Sequence, residues 1–525
     1  MHAPASPPVP AYAAPRFAVL AGVGLILVAL LGFAHVPYPF DVDQGLFTYY
    51  ARAMAHGARL YIDFWDLKQP GIYWYYEIAG SLLGFNEIGI HSFDLVWMLV
   101  LAGVLLWIAA REFSVPLLAA LAPLICLGPF YAKAEPIHLA QVEGVVGLPI
   151  AVVLALLLDT STDSTRHAFR FAATGALLVV VAAFKLILVP IPAAMIALVL
   201  LQDWRTRRVP FRDVLRHGAL PVVVGAAGAA AVLAIWLWHA GILEQTLWVA
   251  FTYPPLAIRE YDRQPVQVLI DSAAWFWSAE RFLLPFALLG IWREIVVRHS
   301  RIGWFALLWL VVGAALLVAQ VLSWGQYHFN LLFVPVGLLA VAGVQALCEL
   351  GSTGEHRRRI ARLACALILG LGVAVSVVHK LQRYWLAGAS PFRDPMAFMI
   401  RVEPRMQAVA DGAALLARPD ARPGKIADLG DPRMFLYANR PTLLSINGYA
   451  YMLASQWREA VADLDRQRPA YIYLGNGTRY IWAHGTDAVE RLLAAHYVLR
   501  LHDMHDGEWY ELRDDGTAIA SGANP

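Results

Sequence analysis

Charge is scarce in this chain. Asp, Glu, Lys and Arg together make up 15% of 525 residues, and 59% are hydrophobic. Soluble domains carry about 25% charged residues. That shortfall, with a mean hydropathy of +0.55, excludes an ordinary soluble globular protein and points to a polytopic membrane protein. Cysteine is also scarce. Cys126, Cys348 and Cys365 lie in apolar runs, and an odd count placed so builds neither a disulfide framework nor a metal site. The histidines are dispersed, without HxxxH or CxxC spacing, so no structural metal is expected. The arginines form short scattered clusters and not one basic domain, which excludes a nucleic-acid partner.

What is present is a series of long apolar runs. A bilayer span needs about 20 apolar residues. Candidates are 17–35, 92–110, 115–131, 143–158, 169–184, 187–201, 219–238, 282–297, 303–322, 329–349 and 360–378, about eleven helices by this criterion. The first run follows a Pro/Ala-rich segment, 1–16, read as a disordered cytoplasmic N-terminus. No small-residue cleavage site follows that run, so it is expected to remain as the first helix. Arginine marks every second connection: Arg111, then Arg166 and Arg170, then the cluster Arg205, Arg207, Arg208, Arg212 and Arg216. Arg293, Arg298 and Arg301 follow, and then Arg357, Arg358, Arg359 and Arg362. By the positive-inside rule the N-terminus is cytoplasmic. The connections 36–91, 132–142, 239–281 and 323–328, and everything beyond 378, then lie outside.

The chain beyond Tyr384 has another character. "KIADLG", "TLLSI", "AYIYLG", "HYVLRLHD" and "EWYELR" read as strands, with "SQWREAVADLDRQ" and "DAVERLLAAHY" as helices between them. A small extracytoplasmic α/β domain over 384–525 is expected, with the transmembrane domain over 17–383. Asn476-Gly477-Thr478 has the form of a glycosylation sequon, set aside in an Ala/Arg-rich, bacterial-looking chain.

The polar residues that interrupt this pattern need an account. In the exterior stretch 36–91, Leu46, Phe47, Tyr50 and Met54 recur at helical spacing, which predicts a helix lying in the membrane interface. Tyr61, Phe64, Trp65 and Tyr73 to Tyr76 suit headgroup depth. Asp43 reads as the N-cap of that helix, and equally as a fixed general base beside Asp41, Asp63 and Asp66. Lys68, before Gln69-Pro70-Gly71, is either a snorkelling lysine or a cation for a phosphate at headgroup depth. Glu143 and Lys185 stand at or within predicted spans, where charge marks function. Simple exposure at the outer mouth of a helix also accounts for Glu143. Lys185, followed by Pro190 and Pro192, predicts a helix break. His328 is either a solvated histidine at a span edge or part of a site. Tyr253, Arg259, Tyr261 and Arg263 fit either a surface loop or a lid over an anionic substrate.

"DQGLFTYYARAMAHGARLYIDFWDLKQPGIYW", Asp43 to Trp74, resembles the first exterior loop of bacterial membrane glycosyltransferases of the GT-C superfamily. These are the family 39-like proteins related to protein O-mannosyltransferases and lipid A aminoarabinose transferases. Asp43-Gln44-Gly45, Gly57, Tyr61, Asp63, Asp66, Lys68, Pro70-Gly71 and Tyr73 match the family pattern, while Leu60 and Gln69 stand where it has prolines. "QVEGVVGLP" is similar to the family's acidic stretch and gives Glu143, with Val142 where threonine is usual. "AAFK" gives Lys185, and "YHFNLLFVP" gives His328 and Pro335.

The resemblance implies a GT-C-like transmembrane domain in the bacterial cytoplasmic (inner) membrane, with its active-site loop in the periplasm. It implies an inverting transfer from a polyprenyl-phosphate-linked sugar to a hydroxyl of a glycan, lipid or protein. Asp43 would be the base. Lys68, with Lys185 or an arginine such as Arg259, would hold the phosphate, and Asp63, Asp66, Glu143 and His328 would complete the donor site. One phosphate, unlike a nucleotide diphosphate, leads us to expect no metal or other cofactor. A flippase of a lipid-linked sugar is the rival reading. It predicts repeated halves with a midplane site, and no internal repeat is evident. A catalytically dead sugar-binding scaffold is the third; the intact Asp43 and Lys68 speak against it.

Overall fold

The computed structural model describes residues 16–159, 164–205, 208–350, 354–386, 388, 390–438, 440–443, 451–475, 486–502 and 507–514. The N-terminal segment up to residue 15, Arg207, the end of "TLLSI" and the sequon at Asn476 lie outside the described residues. Two compact units emerge. One contains Met1–Tyr38, Gln69–His239 and Arg263–Gly388; the other contains Pro39–Lys68, Ala240–Asp262 and Ala389–Pro525.

The first unit is helical. Among the described residues, seven helices are long and apolar enough to cross a membrane: Glu87–Glu112, Pro116–Lys133, Arg166–Leu188, Phe211–His239, Arg301–Ala319, Gln326–Glu349 and Gly354–Leu386. Phe17–Phe33 and Val142–Leu158 are shorter apolar helices. Pro190–Arg205 and Leu284–Ile291 occupy the remaining two predicted runs. The break expected at Lys185 is present. The helix Ser164–Lys185 ends there, a short 3-10 turn Leu186–Leu188 follows, and Pro190 opens the next helix.

The segment 239–281, expected as a loop, is largely helical and includes Val266–Glu280. Its apolar residues mix with Gln267, Asp271 and Glu280, which kept it below the hydropathy of a span. Helix Phe333–Glu349 is almost wholly buried, and its small residues allow close packing. A Cβ at Gly343 would lie 1.8 Å from the Phe286 carbonyl oxygen, and one at Gly290 1.9 Å from that of Leu339. Side-chain-free contacts of this kind bring membrane helices together. Helix Leu220–His239, by contrast, buries only Leu237, so its aliphatic surface is left for hydrocarbon.

The second unit is built on a four-stranded mixed sheet: β1 (Ile426–Leu429), β2 (Tyr471–Gly475), β3 (Tyr497–His502) and β4 (Gly507–Leu512), in the order β1-β2-β4-β3. β1 and β2 are parallel, with Ile426 opposite Tyr471. β4 runs antiparallel to both neighbours. Every residue of β1 and β2 is buried, as expected for strands covered on both faces. Helix Ala454–Gln467 provides the β1-to-β2 crossover, and Thr486–His496 leads into β3. Trp509, Tyr473, Phe435, Met406 and Val409 form the centre of its core.

Candidate functional site

The stretch expected outside forms helix Val42–Ala55, with Leu46, Phe47 and Tyr50 on its buried face. The N-cap position belongs to Asp41, not to Asp43 as expected, and Asp43 falls in the first turn. There the helix dipole favours a carboxylate. Asp43 faces Lys68, with Oδ2 and Nζ 3.6 Å apart and side chains 29% and 18% exposed. Lys68 is steered from two sides. Its carbonyl accepts a 2.5 Å hydrogen bond from the Tyr61 hydroxyl, and its ammonium lies 5.9 Å from the Phe47 ring centroid. Tyr61 itself is at φ 66°.

Two basic residues from the later part of the chain brace this helix start. Arg433, fully buried, donates from Nη1 to the Phe40 carbonyl at 3.1 Å. It also grips Asp431 with Nε at 2.8 Å from Oδ1. Burial works against its charge, but Asp431 and Asp41 hold the guanidinium pKa above its usual range. Gly45 is what admits it, since a Cβ there would lie 2.6 Å from Arg433 Cγ and 3.3 Å from its Cα. The third position of Asp-Gln-Gly is thus a packing requirement. Arg405 stands 3.8 Å from Asp41 Oδ1. Burial first, then the charge of Asp43, pushes the Asp41 carboxyl up to about 6, against the pull of Arg433 and Arg405.

The remaining sequence candidates in this unit divide. Asp63 is turned to its own loop, accepting from the Arg59 N–H at 2.7 Å, and is largely exposed. Asp66 is buried and accepts from the Leu67 N–H at 2.6 Å. It lies close enough to Tyr61 and Tyr253 to add to the effect of burial in raising both phenols. Arg259 is exposed on helix Tyr253–Glu260. Tyr253 and Tyr261 donate to the carbonyls of Tyr451 and Met452. Glu260 accepts from the Ala454 N–H at 2.8 Å. Tyr61, Phe64 and Trp65, expected at headgroup depth, are buried as well.

The first unit holds a second polar cluster. Glu143 opens the turn Val142–Val145 and is 1% exposed, not solvated. Its Oε1 accepts from Lys185 Nζ at 2.5 Å and lies 3.5 Å from His328 Nε2. His328 is buried too, on the 3-10 turn Gln326–Leu332. Its Nδ1 accepts from the Gly325 N–H at 3.1 Å, so in the neutral ring the proton sits on Nε2, facing Glu143. The three residues, far apart in sequence, come together in one cluster. Gly71 accounts for the glycine of Lys-Gln-Pro-Gly. A Cβ there would meet the Ala183 carbonyl oxygen at 2.7 Å, just before Lys185. Farther along Gly71's helix, Pro70–Leu83, Tyr75 donates to Asp94 at 2.9 Å and Tyr76 to the Ala140 carbonyl at 3.1 Å. These rings also pack inward.

Among the described residues no group of three His, Cys, Asp or Glu is arranged to hold a metal ion. All three cysteines are buried and free.

No family model and no curated protein matches the chain. Among solved structures it is similar to ArnT from Cupriavidus metallidurans bound to undecaprenyl phosphate. That match has 14% identity and TM-score 0.61, covering 98% of this chain and 100% of that one. It is also similar to the apo state of the same protein, at 15% identity and TM-score 0.59, covering 95% and 98%. The chain therefore shares the fold of ArnT: a helical domain with apolar helices long enough to cross a membrane and a small C-terminal sheet domain.

Proposed function

We propose that the protein is an inverting glycosyltransferase of the bacterial cytoplasmic membrane that takes its sugar from a polyprenyl phosphate on the outer face. The observation that carries this reading is the Asp43–Lys68 pair, a carboxylate and an ammonium 3.6 Å apart at a helix start and only partly withdrawn from water. The ArnT fold, seen in a crystal structure with undecaprenyl phosphate, supports the donor class.

In this reading Asp43 takes the proton from an acceptor hydroxyl as its oxygen attacks the anomeric carbon. The bond from that carbon to the phosphate oxygen breaks on the opposite face, so the configuration inverts. The electron pair leaves on polyprenyl phosphate, whose added charge Lys68 meets. Asp66 is assigned to the sugar, Arg259 to the phosphate, and the Glu143–Lys185–His328 cluster to further donor contacts. Asp63, tied to Arg59, is the weakest of these assignments. A single phosphate on a lipid needs one cation, which a lysine provides.

The test reconstitutes the purified protein in liposomes with radiolabelled polyprenyl-phosphate sugars and extracted membrane acceptors. Label moving from the lipid to an acceptor is the expected result. Label that crosses the bilayer while still on its lipid would instead identify a flippase.

A further inference from the structure

The first unit contains a slot of about 370 Å³ between the C-terminal halves of three helices, Phe17–Phe33, Pro116–Lys133 and Gly354–Leu386, and its lining shares no residue with the Glu143 cluster. Leu27, Leu31, Leu124, Leu369, Val373 and Val377 form its aliphatic walls. From Leu369 to Lys380 is eleven residues, about 16 Å of helix rise, close to half of the ~30 Å hydrocarbon core. That is the depth of one leaflet.

One end of the slot is polar. Tyr131 and His35 line it, 2% and 5% exposed, and among the described residues the Tyr131 hydroxyl has no hydrogen-bond partner. His35 Nδ1 donates to the Leu31 carbonyl at 2.8 Å, so Nε2 of the neutral ring presents a lone pair. A buried polar atom left unpaired is costly, so the Tyr131 hydroxyl calls for a hydrogen-bonding ligand group. At the same end Lys380 donates to the Ala134 carbonyl and lies 3.6 Å from Glu135 Oε1. Glu135 is 39% exposed. An ammonium has three donors, and these two contacts account for two.

We propose that this slot is a binding site for one zwitterionic bilayer phospholipid, separate from the sugar donor. One acyl chain lies along the aliphatic walls. Its ester oxygen accepts from Tyr131. The phosphate meets Lys380 and the headgroup ammonium meets Glu135, so the two charges of the protein pair face the two charges of the head in opposite order. The aliphatic walls and paired cation and anion explain why a zwitterion is favoured over a singly charged lipid.

Native mass spectrometry of the full chain, delipidated in detergent and titrated with phosphatidylethanolamine, phosphatidylglycerol or undecaprenyl phosphate, tests this. The expected result is a saturable one-to-one phosphatidylethanolamine adduct. Occupancy should fall at least tenfold in Val373→Trp, which fills the slot, and about fivefold in Tyr131→Phe, both with an unchanged melting temperature. If Val373→Trp does not fold, Val377→Trp replaces it. A non-saturating ladder, equal adducts in the filled variant, or preferential binding of phosphatidylglycerol would each overturn the proposal. Preference for undecaprenyl phosphate would assign the slot to the donor and overturn it as well. None of these readouts depends on sugar transfer.

Discussion

Two of the protein's carboxylate–lysine pairs look alike in sequence and differ in kind. Glu143 and Lys185 meet at 2.5 Å with the carboxylate 1% exposed, and His328 stands beside them. Asp43 and Lys68 meet at 3.6 Å and keep 29% and 18% of their side chains in contact with solvent. A dry pair is tied to its partners, because separating it strands a charge in low dielectric. A half-open pair at a helix start gives up little when one member turns to a substrate. The second is therefore the better place for proton transfer, and the first is better suited to fixing a helix break and offering a rigid polar wall.

Glu143→Gln attacks the comparison where it is strongest. It leaves the partly buried Lys185 without the Glu143 countercharge and should destabilise the fold by about 3 kcal/mol, read as a large drop in melting temperature in detergent. Asp43→Asn should leave melting nearly unchanged. Equal melting of the two variants would erase the distinction.

Asp41 sharpens the open side. Its carboxyl sits at about 6 when folded and at about 3.9 when unfolded, so the folded chain holds that proton more tightly. Its contribution to stability should therefore fall as pH rises from about 4 to about 6, by up to roughly 3 kcal/mol, and stay level above. A melting profile against pH should show this decline in the parent, and Asp41→Asn should flatten it.

Gly45→Ala sets a Cβ 2.6 Å from Arg433 Cγ. The overpacking should cost about 1–3 kcal/mol and shift the helix that carries Asp43. A further fall in Gly45→Leu, which has much the same helix propensity as alanine but more volume, would show that the clash and not the lost flexibility is responsible. The smallest expected effect is that of Lys68→Gln on melting, below about 1 kcal/mol, although transfer should drop sharply.

Much of this arrangement was legible in the sequence. Apolar length located the spans, and Pro190 and Pro192 after Lys185 announced the broken helix. Alternation and aromatic content found β1 to β4. What the sequence concealed depends on distant packing. Nothing local distinguishes a solvated Glu143 or His328 from a buried one, because their burial comes from an α-helical turn and a 3-10 turn meeting across nearly two hundred residues. Asp41 and Asp43 compete for one N-cap, and only the chain direction before the helix decides it. The Arg433 brace left a fainter signal, an Asp-Pro-Arg turn immediately after β1. Its partner Gly45 could be understood only once both were in place. The helix Val266–Glu280 escaped because its charges lowered an apolar face below the hydropathy of a span.

The account rests on Asp43 as the proton acceptor, and its most direct test is the transfer rate of Asp43→Asn, normalised to folded protein and measured with saturating polyprenyl-phosphate sugar. The predicted result is a fall of about 10²- to 10⁴-fold with the fold intact, while a rate equal to the parent's would contradict the mechanism.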